Sequence, residues 1–191
     1  MTEPVADLFT HTLIDDVQKA QTRLESLDTQ CHRRELIRSV FAAIEGLLWQ
    51  LKQDVYKHAD VVANLTIHER AAMLEETYSV DDRGNIQSLP RFLPLETSIR
   101  LVVNIFNKHI KNVDVDFSHP GWANLKASIN VRNRLVHPKK IDDLSVTNKE
   151  VEQVLSGFAW MLSLEVKVLK ESNESLRSTL KFILSKILTR S

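Results

Sequence analysis

The sequence predicts an all-α helical bundle of about five to seven helices. Apolar residues recur at three- and four-residue spacing along nearly all of the 191 residues. Glycine is rare, with only four in the chain. No alternating strand pattern longer than about four residues is convincing.

The first helix runs from Val5 to about Leu27, with Val5, Leu8, Phe9, Leu13, Val17, Ala20 and Leu24 on one face. The second, Thr29 to about Asn64, carries one continuous stripe: Leu36, Ile37, Val40, Phe41, Ile44, Leu47, Leu48, Leu51 and Val55. A third spans Thr66 to Tyr78 and opens on a capping box, Thr66 with Glu69 three residues later. Asp-Arg-Gly-Asn from Asp82, followed by Pro90 and Pro94, interrupts the helical pattern, so residues 79–94 read as a long loop with room for a short hairpin. Helical spacing returns from Leu95 to about Ile110. Pro120-Gly121 then restarts the chain into a helix that ends at His137, because the residue before Pro138 disfavours the helical region. Thr147 and Glu150 form a second capping box before Val151, Val154, Leu155, Phe158, Leu162, Val166 and Leu169. The polar run 172–175 reads as a break, and a last helix follows with Leu176, Leu180, Ile183, Leu184, Ile187 and Leu188. Residues 1–191 are expected to form a single helical domain with short connections.

A chain of this length buries enough surface to fold without disulfides or metal. Cys31 is the sole cysteine, which excludes an internal disulfide and fits a reducing, cytoplasmic compartment. As a helix neighbour of His32 it is not a nucleophile–base pair, and a buried, inert thiol is expected. Residues 1–20 lack the apolar core of a signal peptide. No unbroken apolar stretch approaches the ~20 residues that a bilayer-spanning helix needs. The scattered glycines exclude a Walker loop and a dinucleotide-binding fingerprint, both of which cluster glycines against phosphates.

Net charge is zero, yet positive charge is concentrated. Lys126, Arg132, Arg134, Lys139 and Lys140 fall between Gly121 and Lys140 with no acid among them. Arg177, Lys181, Lys186 and Arg190 do the same between Ser175 and Ser191, where a solvated helix face explains them. A balanced chain is not a bulk nucleic-acid coat, but either segment could form a local anion site. The seven histidines show no metal spacing, so neither a metal nor a cofactor is expected. Asp114 and Asp116 lack the Gly-Ser loop and sheet that would make them a magnesium pair.

The helix ending at His137 carries an oddity. Trp122, Leu125, Ile129 and Val136 form its apolar stripe, and Arg132 falls within about 20° of the middle of that stripe. A guanidinium there is either paired inside the fold, with a carboxylate such as Glu45, which borders the apolar stripe of the second helix, or it faces an anion. Asn133 follows it. His137 stands where the unpaired carbonyls of a helix C-terminus favour a protonated imidazole. A cation, an amide and a titratable base in an acid-free stretch suit a phosphate.

Residues 128–138, Ser-Ile-Asn-Val-Arg-Asn-Arg-Leu-Val-His-Pro, resemble the signature of the HEPN superfamily: Arg, a polar residue that is often Asn, then His after four to six intervening positions near a helix end. Four intervene here. The motif covers about ten residues, and the order of helices around it covers most of the chain. The resemblance implies a metal-independent endoribonuclease of the toxin–antitoxin or antiphage-defence type. Its site would form at a homodimer interface, with Arg132 and His137 catalytic and Asn133 orienting them or touching RNA. It also implies a restraining antitoxin or regulatory protein as partner. Some HEPN toxins carry Tyr two residues after the His, where a nucleotidyltransferase antitoxin modifies it; Lys139 stands there in this chain. Other HEPN proteins are catalytically silent helical modules that bind nucleotides or a protein partner.

The chemistry is coherent on its own terms. RNA carries its nucleophile, the 2′-hydroxyl, so cleavage to a 2′,3′-cyclic phosphate requires a base, an acid and a cation. Imidazole serves as base or acid near neutral pH. A guanidinium grips two phosphate oxygens and stabilises the charge that builds between them. Arg134, Lys139 and Lys140 would track the flanking backbone, and Glu45 would support Arg132.

Overall fold

The computed structural model describes the backbone of residues 5–63 and 65–188 and the side chains of 8–61 and 65–178. These residues form six α-helices and one hairpin: α1 (Val5–Ser26), α2 (Gln30–Ala63), α3 (Ile67–Met73), β1 (Glu76–Val80), β2 (Ile86–Pro90), α4 (Leu95–His109), α5 (Pro120–Val136) and α6 (Asn148–Leu188), with a 3-10 turn at Ile141–Leu144 before α6. The fold is all-α, as the helical spacing predicts.

The chain divides into two compact units, Met1–Trp49 with Asp116–Leu164, and Gln50–Val115 with Glu165–Ser191. In the first, Leu36, Ile37, Val40, Ile44 and Leu47 of α2 are buried with Trp122 and Leu125 of α5 and Met161 of α6. Gly157 brings α6 close to α5: a Cβ built there would sit 2.7 Å from the Leu125 Cα. In the second unit, Leu51 and Val55 of α2 are buried with Met73, with Ile99, Val102 and Phe106 of α4, and with Val168 of α6. Lys52 is also buried there, its ammonium 2.6 Å from the Glu75 carboxylate.

Both capping boxes form. Thr66 accepts from the Glu69 amide while the Glu69 carboxylate accepts from the Thr66 amide. Thr147 and Glu150 exchange the same pair of bonds at 3.3 and 2.8 Å.

Five local expectations need correction. The third helix stops at Met73 rather than Tyr78, because the chain turns at Glu75, which takes φ of 55°. The stretch read as a long loop with room for a short hairpin does form an antiparallel hairpin, but it takes up most of the stretch and begins at Glu76 rather than at residue 79, pairing Glu76 with Pro90 through Val80 with Ile86. Its turn is built by Asp81, whose carboxylate accepts from the Arg83 and Asn85 amides at 2.9 and 2.8 Å, and by Gly84 at φ 80°. No break occurs at 172–175: α6 runs through, since that polar run holds no Gly or Pro to stop a helix. Cys31 is exposed, not buried. Finally, the buried face of α5 is Gly121, Trp122, Leu125, Ser128, Val131 and Leu135, so Val136 turns outward and Arg132 stands at the edge of the packed face.

Candidate functional site

The helix that carries the motif is sharply delimited. His119 caps its start, its Nδ1 accepting from the Gly121 amide at 3.0 Å, and Pro120 occupies the first turn, where a missing N–H costs nothing. The helix ends at Val136. The His137 amide still donates to the Asn133 carbonyl at 3.0 Å, but His137 itself leaves the helical region, at φ −123° and ψ 59°, ahead of Pro138. Arg132 and Asn133 therefore occupy the last turn and a half, and His137 is the first residue beyond it.

Arg132 is fixed from three directions within the first unit. Its Nη2 donates to the Glu45 carboxylate of α2, its Nη1 donates to the Asn133 side-chain oxygen at 3.0 Å, and its guanidinium carbon lies 5.9 Å from the centre of the Phe41 ring. Phe41 and Glu45 are one turn apart on α2 and act as floor and anchor for the same cation. The Arg132 side chain is 34% exposed and that of Glu45 is 45%, so the pair sits in contact with solvent. A guanidinium has five N–H donors, and these contacts use two of its nitrogens. N–H donors remain for an oxyanion.

His137 is exposed, and among the described residues its ring makes no hydrogen bond. Asn133 is exposed too, and its side-chain oxygen accepts from Arg132. The remaining basic residues divide. Arg134 spends all three guanidinium nitrogens locally, on the Asp143 carbonyl at 3.0 Å, the Glu150 carboxylate at 2.9 Å and the Ser145 carbonyl at 2.7 Å. It fastens the 3-10 turn to α5. The amides of Lys139 and Lys140 donate to the Asp143 carboxylate at 2.8 and 3.2 Å, and the Lys139 amide above all holds that carboxyl below its usual range. The Lys140 ammonium is 3.7 Å from Asp142. The Lys139 ammonium has no partner among the described residues. The acid-free window in the sequence ends at Lys140, and Asp142, Asp143 and Glu150 then fold back onto it.

Phe41 is the contact that sequence reasoning missed. It sits on the apolar stripe of α2 and reads there as core; the signal was its four-residue spacing from Glu45.

Elsewhere, open cavities lie in the second unit. One, of about 420 Å³, is lined by His68, Glu75, Tyr78 and Arg91 among others, and one, of about 370 Å³, by Asp54, Lys57, His58 and Ser172 among others. No group of three or more His, Cys, Asp or Glu among the described residues is placed to hold a metal ion. No described helix is long and apolar enough to cross a membrane. The chain matches no protein-family model, and neither the curated proteins nor the solved structures contain a significant match to it.

Proposed function

We propose that this chain is a metal-independent endoribonuclease of the HEPN type, acting as a toxin or antiphage-defence effector. One observation carries the reading: Arg132 is held in place at the end of α5 by Glu45, Phe41 and Asn133, while His137 stands exposed five residues on. Arg132 would bind the scissile phosphate and stabilise its transition-state charge. His137 would take the proton from the 2′-hydroxyl or give one to the leaving 5′-oxygen. Asn133 would keep the guanidinium turned toward the phosphate.

Transesterification uses both a base and an acid, and each chain offers one motif histidine. From Arg132 to His137 the helix rises about 7.5 Å and turns about 140°. A homodimer with two facing 132–137 segments would place two histidines and two arginines around one cleft, as two-fold symmetry allows. Sedimentation should then show a dimer, and activity per chain should fall on dilution; full activity in a monomer would refute the shared site.

The experiment is incubation of the purified protein with mixed cellular RNA, with and without EDTA, beside His137→Ala. Cleavage that survives EDTA and is lost in the variant supports the reading. Cleavage lost to EDTA and restored by magnesium sinks it. The Glu45–Arg132 ion pair favours a second reading, a catalytically silent HEPN-like module that binds nucleotides or a protein partner and cuts nothing.

A further inference from the structure

Glu45 and Phe41 are not alone on their face of α2. Arg38 lies seven residues before Glu45, about 20° from it around the helix and about 10.5 Å along it. Arg38 is exposed. Among the described residues it has no hydrogen bond, ion pair or ring contact. Its neighbour on the same stripe, Arg34, is used: Nη1 donates to the Leu144 carbonyl at 3.0 Å.

These contacts also fix a direction. Arg132 of α5 meets Glu45 in the middle of α2. The segment that follows α5 meets the start of α2, through Arg34 on Leu144 and through Gln30, which donates to the Val146 carbonyl at 3.0 Å. That segment is itself tied to the end of α5 by Arg134. Moving from Arg132 to His137 on α5 therefore follows the same direction as moving from Glu45 to Arg38 on α2. The two steps are about 7.5 and 10.5 Å. Along the helix axes Arg38 and His137 therefore lie toward the same end of the Arg132 site, one from each helix; both are exposed, and neither side chain has a partner among the described residues.

We infer that Arg38 is a second phosphate-binding arginine of this site, contacting the RNA backbone beside the phosphate held by Arg132. The inference rests on the ribonuclease reading for the identity of its ligand. An exposed guanidinium with no protein carboxylate has its fork of donors free for a phosphodiester. Arg132, tethered by Glu45, supplies a fixed cation; Arg38 supplies an untethered one that adds affinity and sets the path of the strand past His137.

The test uses the full chain and two assays. The first is binding of a short fluorescein-labelled 2′-O-methyl RNA, which cannot be cleaved, across a salt series. The second is cleavage of the matching unmodified RNA. Arg38→Ala should weaken binding about tenfold and lower the slope of log affinity against log salt by about 1. Its loss of cleavage should appear in KM more than in kcat. Arg38→Lys should recover part of both, and Arg83→Ala, on the hairpin turn, should behave as wild type. If Arg38→Ala matches Arg83→Ala while His137→Ala abolishes cleavage, the assignment of Arg38 is overturned and the nuclease stands. If no variant or wild type cuts RNA but Arg38→Ala still loses binding, the nuclease falls and the anion site stands. A wild-type protein that fails to bind the probe overturns both.

Discussion

Glu45 holds Arg132 by an ion pair that bridges α2 and α5 within one unit of the fold. The contact is part-exposed, which makes it a weak source of stability, about 0–1 kcal/mol for a pair in that setting. Its value is positional. Glu45→Gln should leave the melting temperature within about 2 °C of wild type while cleavage falls. Glu45→Ala should lower cleavage further. A thermal melt run beside an RNA-cleavage assay checks this, and unchanged cleavage in Glu45→Ala would show that Arg132 needs no anchor.

Arg132→Ala and His137→Ala should each lower cleavage by at least ~100-fold, the scale of a lost electrostatic stabiliser or acid–base group. His137 is exposed and Arg132 lies at the edge of the packed face, so both variants should remain folded by circular dichroism. A destabilised Arg132→Ala protein with unchanged specific activity would make Arg132 a structural residue.

Glu165 gives stability a pH dependence. It is 8% exposed, and burial, with the Asp54 carboxylate adding to it, pushes its carboxyl up to about 7. The unfolded chain ionises the same group near its ordinary value, so between about 4.5 and 7 the folded state holds the proton and the unfolded state does not. Stability from this group is fully present below that window and is lost as pH rises through about 7, by an amount on the order of 3 kcal/mol. Glu165→Gln should melt higher than wild type at pH 8 and close to it at pH 4. Equal melting temperatures of the two proteins at pH 8 would count against a buried, strained carboxylate.

Glu69 acts with the opposite sign. Its carboxylate receives Lys108 at 2.7 Å, His109 Nε2 at 2.9 Å and the Thr66 amide at 2.9 Å, and Lys108 first among them draws its pKa far below the usual range. Its stabilisation is present above the ordinary carboxylate pKa and is lost as pH falls below it. Glu69→Gln should therefore lower the melting temperature at pH 7 by several degrees and converge with wild type in acid. The check is a pH series of thermal melts.

Gly157→Ala should destabilise by about 1–2 kcal/mol. The substitution improves helix propensity by about 1 kcal/mol, but the new methyl would meet Leu125 backbone, which cannot rotate away. Gly46→Ala is the contrasting case: its Cβ would meet the far end of the Leu13 side chain, which can move, so denaturant titration should separate the two variants.

The helices were legible because their apolar residues repeat every three or four positions and because two capping boxes and two prolines mark their ends. The division into two units was not. Two of its boundaries, 49/50 and 164/165, fall inside α2 and α6, where the helical spacing runs on unbroken and the glycines of those helices, Gly46 and Gly157, do not coincide with them. Residues 172–175 misled for the converse reason, since polar side chains lower helix propensity without stopping a helix. At the motif, the positions of Arg132 and His137 relative to the helix end follow from Pro138. The use of Arg134 does not, because its three acceptors lie nine to sixteen residues downstream and are brought back only by the 3-10 turn.

Cys31, the sole thiol of the chain, faces solvent. Two chains can join through it by air oxidation alone and would then sediment as a covalent pair unrelated to the 132–137 segments. The association state is therefore to be measured in reductant or with Cys31→Ser, and the same thiol offers a single attachment point for a maleimide dye with which to follow it.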